Sequence, residues 1–383
     1  MKFSPVVFLA LLVSCTKNID TPSQTTEQTA EKKPESCNFG IQSFNKTKRI
    51  ASGDMYSQKK KPRETGTIPI PNATIFLDFD GQSVSNTIWN AIGTIKAAPA
   101  NLRALEVERI MQRVSEDYSP FNVAVTTDED VYNATNAAKR MRVIITESWE
   151  WFGIAGGTAY NNSFTWGNNT PSFIFSTLLG YNEKFIAEAI SHEVGHTLGL
   201  LHQALYNGSC TFLSEYNLGF GEGITSWAPI MGIGYYRNMT TWHKGPTIYG
   251  CNNIQDDVAI IANILSMKTD DNVGINKFEQ FTTFAQGLIN SSDDLDYYFI
   301  DVKESTTITA RPNALENEEG ANLNLKLNVY DKKGVLIRTV SNSASLSAST
   351  VLTKEKYYIG VETEADANQS RYGMLGRYTL QAY

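Results

Sequence analysis

Three of the four histidines in this 383-residue chain fall inside eleven consecutive positions, as His192, His196 and His202. No other feature restricts the fold as tightly, because the three rings act together only if the local backbone brings them to one point. On a helix, residues four apart project from the same face, so His192 and His196 can share one metal ion. Glu193 follows His192 directly, turned aside from the ligand face yet close enough to act on solvent held there. Gly199 tolerates backbone angles that other residues resist, so the helix can stop and the chain can bend back. That bend carries His202 to a third ligand position. Three nitrogen ligands leave a fourth place open, the pattern of a catalytic rather than a structural zinc site. A histidine pair alone is a weak signal; the third histidine and the glycine at the turn make it specific.

The surrounding chain reads as an α+β fold. Residues 73–79 are a β-branched and aromatic run closed by Asp80-Gly81, a strand ending in a turn. Residues 102–118 have helical spacing, with Leu105, Ile110 and Val114 as core positions. Residues 121–126 and 141–146 read as two more strands, and this order suggests a twisted mixed sheet backed by helices. After a glycine-rich turn (Gly153, Gly156, Gly157), residues 172–175 read as a short edge strand. Residues 182–198 then form the long helix that bears the histidines. From about Gly274 the texture changes. Short runs at 297–302, 324–330, 335–340, 357–361 and 378–383 alternate with turn residues, which is the rhythm of an antiparallel β-sandwich. The expected organisation is therefore 65–273 for the metal-binding domain and 274–383 for the sandwich.

The N-terminus reads as an export signal. Lys2 precedes an uncharged apolar stretch at 6–13, too short to span a bilayer. It ends in Leu12-Val13-Ser14-Cys15, which resembles a bacterial lipobox. The expectation is a signal peptide at 1–14, with Cys15 as the lipid-bearing residue of a bacterial cell-envelope protein, at the outer membrane or cell surface. The alternative is an ordinary cleaved signal and a secreted protein. Residues 15–64 are rich in Thr, Ser, Gln, Glu and Lys and poor in large aliphatics, so they read as a flexible tether. Hydrophobic residues at 42% suffice for buried cores, and a net charge of -7 argues against nucleic acid as a partner. An exported chain meets an oxidising compartment, where Cys210 and Cys251 would pair and tie down the loop around the site. Cys37 is left over.

The extended histidine pattern resembles the metzincin clan of zinc endopeptidases, over roughly residues 66–270. Members of that clan follow the zinc helix with a tight turn that carries a methionine beneath the metal. Ala228-Pro229-Ile230-Met231-Gly232 matches in content and distance, so the resemblance implies that Met231 is that residue. It further implies a metzincin-like twisted sheet, Zn²⁺ as cofactor, Glu193 as catalytic base, and protein or peptide substrates lying along the 156–175 region. In astacin-like and serralysin-like members a tyrosine two residues past the methionine joins the site. Ile233 stands there in this chain, so no tyrosine ligand is carried over. Tyr235 and Tyr236 read as packing aromatics, with oxyanion donation as the alternative, and His243 reads as a surface or packing residue. Cys37 is either an idle thiol or a cap on the metal in a latent form, as in some zinc proteases.

The segment Asp293-Asp294-Leu295-Asp296-Tyr297-Tyr298-Phe299 resembles the opening of bacterial pre-peptidase C-terminal domains. Asp293, Asp294 and Asp296 read either as a solvated acidic turn or as a structural Ca²⁺ site. The whole then implies a membrane-anchored zinc endopeptidase. Two rivals stand beside it: an adhesin in which the sandwich does the recognition, and a peptidase restricted to glycoproteins.

Overall fold

The two largest hydrophobic cores form where the sequence changes its period, one under a mixed sheet with helices and one between two mainly antiparallel sheets. The computed structural model describes residues 34–36, 48–50, 54–57, 70–271, 278–341 and 345–383. The signal segment, Cys15, Cys37 and most of the stretch read as a tether lie outside the described residues. Among those described, no helix is long and apolar enough to cross a membrane.

The first core is organised by a six-stranded sheet. Its strands are β1 (Pro34–Ser36), β2 (Thr74–Asp78), β3 (Ala124–Thr126), β4 (Arg140–Thr146), β5 (Gly157–Tyr160) and β6 (Ser172–Phe175), in the order β1-β5-β6-β4-β2-β3. β3, β2, β4 and β6 run parallel, while β5 is antiparallel to β6 and β1 is antiparallel to β5. The parallel strand β2 is buried throughout, as expected for a strand covered on both faces.

Two expectations are corrected here. Residues 172–175 are not an edge strand: all four are buried, and β5 lies outside them. The strand Gly157–Tyr160 has too few large apolar residues to announce itself in the sequence. Its outer edge is paired with Pro34–Ser36, so a stretch without strand-like composition forms a strand through main-chain hydrogen bonds. In helix α1 (Ala104–Asp117), Val107, Ile110 and Val114 face the core, but Leu105 is 57% exposed. Leu105 sits two residues from Val107, about 200° round the helix axis, on the solvent side.

After the short helix α2 (Glu129–Ala134) comes α3 (Glu183–Thr197), which crosses the sheet almost wholly buried. Its N-terminus is fixed by Asn182, whose side chain accepts hydrogen bonds from the backbone N–H groups of Lys184 and Phe185. Helix α4 (Asp257–Leu265) completes this half.

The C-terminal half is a β-sandwich. One sheet runs in the order Glu279–Gln280, Asp296–Asp301, Lys356–Thr363, Leu325–Tyr330, Leu336–Val340. The other runs Phe284–Ile289, Gly376–Ala382, Thr306–Pro312, Ala348–Leu352. Burial alternates strictly along Asp296–Asp301, as strand geometry requires when one face is inward. The strands at 284–289, 306–312 and 348–352 were not expected from the sequence, since Thr, Ser, Ala and Gly dilute their apolar signal.

The last turns of α1 hold the sandwich in place. Arg113 pairs with Glu319 at 3.1 Å, and Gln112 donates to the Ala314 carbonyl. Glu116 accepts from Arg377 Nε at 3.0 Å and from Asn313 Nδ2 at 2.5 Å. Asp117 takes an amide proton from Asn322 on the sandwich side and a hydroxyl proton from Ser191 in α3. One aspartate thus joins the sandwich to the residue before His192.

Candidate metal centre

The helix carrying the histidines ends where the sequence places its glycine. Leu198 closes α3, and Gly199 takes φ +101, with its N–H donating to the His196 carbonyl. A Cβ at Gly199 would come within 2.6 Å of Asn162 Oδ1, so a side chain is barred on both counts. The chain then turns back and delivers His202.

Nε2 of His196 lies 3.1 Å from Nε2 of His192 and 3.1 Å from Nε2 of His202. Two nitrogens bound to one tetrahedral zinc at 2.0–2.1 Å would sit about 3.3 Å apart. The rings are aimed by their other nitrogens. Nδ1 of His192 bonds the Ile230 carbonyl, Nδ1 of His196 the Leu200 carbonyl, and Nδ1 of His202 a carboxylate oxygen of Glu215, each at 2.8 Å. Those three acceptors place the proton on Nδ1 and leave Nε2 with its lone pair inward. Burial, with neighbouring His202 reinforcing it, pulls the His192 pKa down to about 3, and His196 falls well below its ordinary value for the same reason. His192 and His196 are therefore neutral at neutral pH, as metal ligation requires. All-nitrogen donors in this geometry suit zinc, and the three rings could hold one metal ion.

Glu193 is fully buried on the helix position next to His192. Strand β5 approaches it at Gly157, where a Cβ would meet Glu193 Cγ at 2.7 Å. Met231 is buried under the helix: a Cβ at Gly195 would lie 2.5 Å from its sulfur. The Met231 carbonyl accepts from the backbone N–H of Gln203, so this turn braces both His192, through Ile230, and the residue after His202. A cleft beside His192 is lined by Glu188, Ala189, Ile230, Ile233 and Tyr235. Cys210 and Cys251 form a disulfide with Cα atoms 5.6 Å apart.

Tyr235 packs on Phe185, and Tyr236 is exposed. His243 packs against Trp227 and lies outside the histidine cluster. Asp293 is exposed and does not join Asp294 and Asp296; Asp270 clusters with them instead. Asp293 lies in the turn before the strand and is exposed, whereas Asp294 and Asp296 are buried.

Sequence reasoning missed Glu215 and Tyr216. Tyr216 lies over His202 with ring centroids 4.4 Å apart. Hydrogen bonding to His202 holds the Glu215 carboxyl below its usual pKa. Replacing Glu215 by alanine removes the acceptor that orients His202 and is expected to weaken metal affinity about 10–100-fold. Competition with a chromogenic chelator measures this, and an unchanged affinity would show that Tyr216 packing alone fixes the ring.

No protein-family model matches the chain, and no curated protein matches it. Among solved structures, the pre-peptidase C-terminal domain of a collagenase from Bacillus anthracis aligns at 12% identity, over 30% of this chain and 98% of that one, with a TM-score of 0.21. PliG, a periplasmic inhibitor of g-type lysozyme from Aeromonas hydrophila, aligns at 16% identity over 27% and 93%, with a TM-score of 0.19. A catalytically inactive OgpA from Akkermansia muciniphila, solved with an O-glycopeptide substrate, aligns at 10% identity over 85% and 98%, with a TM-score of 0.21. Likenesses of this degree carry no functional argument, which rests on the site itself.

Proposed function

We propose that this chain is a zinc-dependent endopeptidase, carried at a bacterial cell envelope by a lipid on Cys15. The observation that supports the peptidase reading is the convergence of three Nε2 atoms beside the buried carboxylate of Glu193. Zn²⁺ held by His192, His196 and His202 would supply Lewis-acid polarisation of the scissile carbonyl and activation of water. Glu193 takes the proton lost by the attacking water and hands it to the departing amine. A water nucleophile makes a covalent acyl-enzyme unnecessary.

The substrate is an extended peptide that takes the place of Pro34–Ser36 along the outer edge of β5, next to Glu193. That edge accepts an antiparallel segment in this structure, with Glu35 opposite Ala159 and Ser36 opposite Thr158. Backbone pairing there fixes the peptide without regard to its side chains.

The test is metal analysis paired with cleavage of an unfolded protein by the purified chain. One zinc per chain is expected, together with cleavage that a chelator abolishes and stoichiometric zinc restores. The variant His202→Ala should lose zinc on dialysis. Chelator-insensitive cleavage, or zinc retained in full by that variant, would overturn the assignment.

A further inference from the structure

A second set of ligand-type side chains lies outside the histidine centre. Asp270 follows α4, whereas Asp294 and Asp296 stand at the start of the sandwich strand Asp296–Asp301. One carboxylate oxygen from each of the three lies within 4.8 Å of the others. Asp294 is 5% exposed and Asp296 is 0% exposed. Each uses one oxygen conventionally: Oδ2 of Asp294 accepts from the Asn290 backbone N–H at 2.8 Å, and Oδ2 of Asp296 from the Tyr378 hydroxyl at 2.5 Å. The other oxygen of each, Oδ1, is buried with no hydrogen-bond partner.

A solvated acidic turn does not describe Asp294 and Asp296, because both are buried. The charges that bear on Asp296 belong to Asp294, Asp271 and Asp270, all of its own sign. Carboxylate oxygens buried without donor or counter-charge are costly, and gathering several of them compounds the cost. A cation shared among them removes it.

We infer that Asp270, Asp294 and Asp296 form a binding site for a divalent cation, and that the cation is calcium. The donors are all hard oxygens, which suit calcium and do not suit the zinc that prefers the histidines. Two oxygens bound to one calcium at 2.3–2.6 Å can be at most about 5 Å apart, which the cluster satisfies. The ion joins the segment leaving α4 to the sandwich strand Asp296–Asp301, so it clamps the junction of the two halves. Through Asp296, Tyr378 and Tyr298, whose hydroxyls are 2.7 Å apart, the clamp reaches the sandwich core.

The test uses the chain from residue 16 onward, stripped of metal and reloaded with one equivalent of zinc, then titrated with calcium chloride. Calcium at about a hundred times its dissociation constant should raise the melting midpoint by about 5 °C over a sodium chloride control of equal ionic strength. Asp296→Asn should abolish the shift. Asp270→Asn, at a less buried position, should weaken calcium binding at least about tenfold, and it decides the matter alone if the first variant does not fold. No shift beyond the salt control, or an equal shift in the variants, overturns the site. Melting does not report cleavage, so this result stands apart from the peptidase reading.

Discussion

Glu193→Gln is expected to lower peptide cleavage by about 10²–10⁴-fold while the chain keeps its fold and its metal. Glutamine matches glutamate in shape, so it fits a position that is fully buried and crowded by the backbone at Gly157. It also carries no charge and cannot accept the proton that water must lose. Metal retention is separable from this loss, because the histidines are oriented by the Ile230 carbonyl, the Leu200 carbonyl and Glu215, none of which involves Glu193. The measurement is kcat on a fluorogenic peptide pool together with zinc per chain. A variant that holds zinc and cleaves at the parental rate would place the base elsewhere. A variant that loses zinc would mean that the carboxylate supports the metal rather than the proton transfer.

The centre was legible because its ligands are local. His192, Glu193 and His196 share one helix, Gly199 ends that helix, and His202 follows three residues later, so spacing alone dictates the convergence. Glu215 and Tyr216 were not legible, since they lie past His202 beyond a short hairpin of Leu205–Tyr206 and Phe212–Ser214, and no periodicity runs across it. The same limit applies to Asp270, which meets Asp294 and Asp296 only after the chain has crossed from one half to the other. Leu105 shows a different failure, in which an apolar residue was assigned to the core although its angular position on α1 turns it to solvent. The strand β5 shows a third. Its burial comes from neighbouring strands and α3 rather than from its own composition, so Gly157–Tyr160 gave no pattern to read.

Arg377→Ala is expected to lower the unfolding free energy by about 3 kcal/mol and to do so for both halves at once. Glu116 is 2% exposed and depends on Arg377 for two donors, the guanidinium Nε and the backbone N–H. Alanine keeps the backbone donor but deletes the counter-charge, leaving a buried carboxylate with Asn313 as its remaining side-chain donor. Removing one partner of a fully buried pair costs about 3–5 kcal/mol; the lower end applies because Arg377 is itself 46% exposed. For a unit of this size the loss corresponds to roughly 5–10 °C in the melting midpoint. Coupling follows from the next residue along α1. Asp117, which burial and the nearby charge of Glu188 push up to about 7, receives hydrogen bonds from Asn322 in the C-terminal half and from Ser191 beside His192. Loosening the sandwich therefore loosens the helix that carries the metal ligands, and calorimetry should record a single transition with zinc released in the same interval. Two separated transitions in the parent chain, with the variant shifting the upper or the lower one alone, would show that the sandwich is an independent appendage and that Asp117 does not transmit its stability to the histidines.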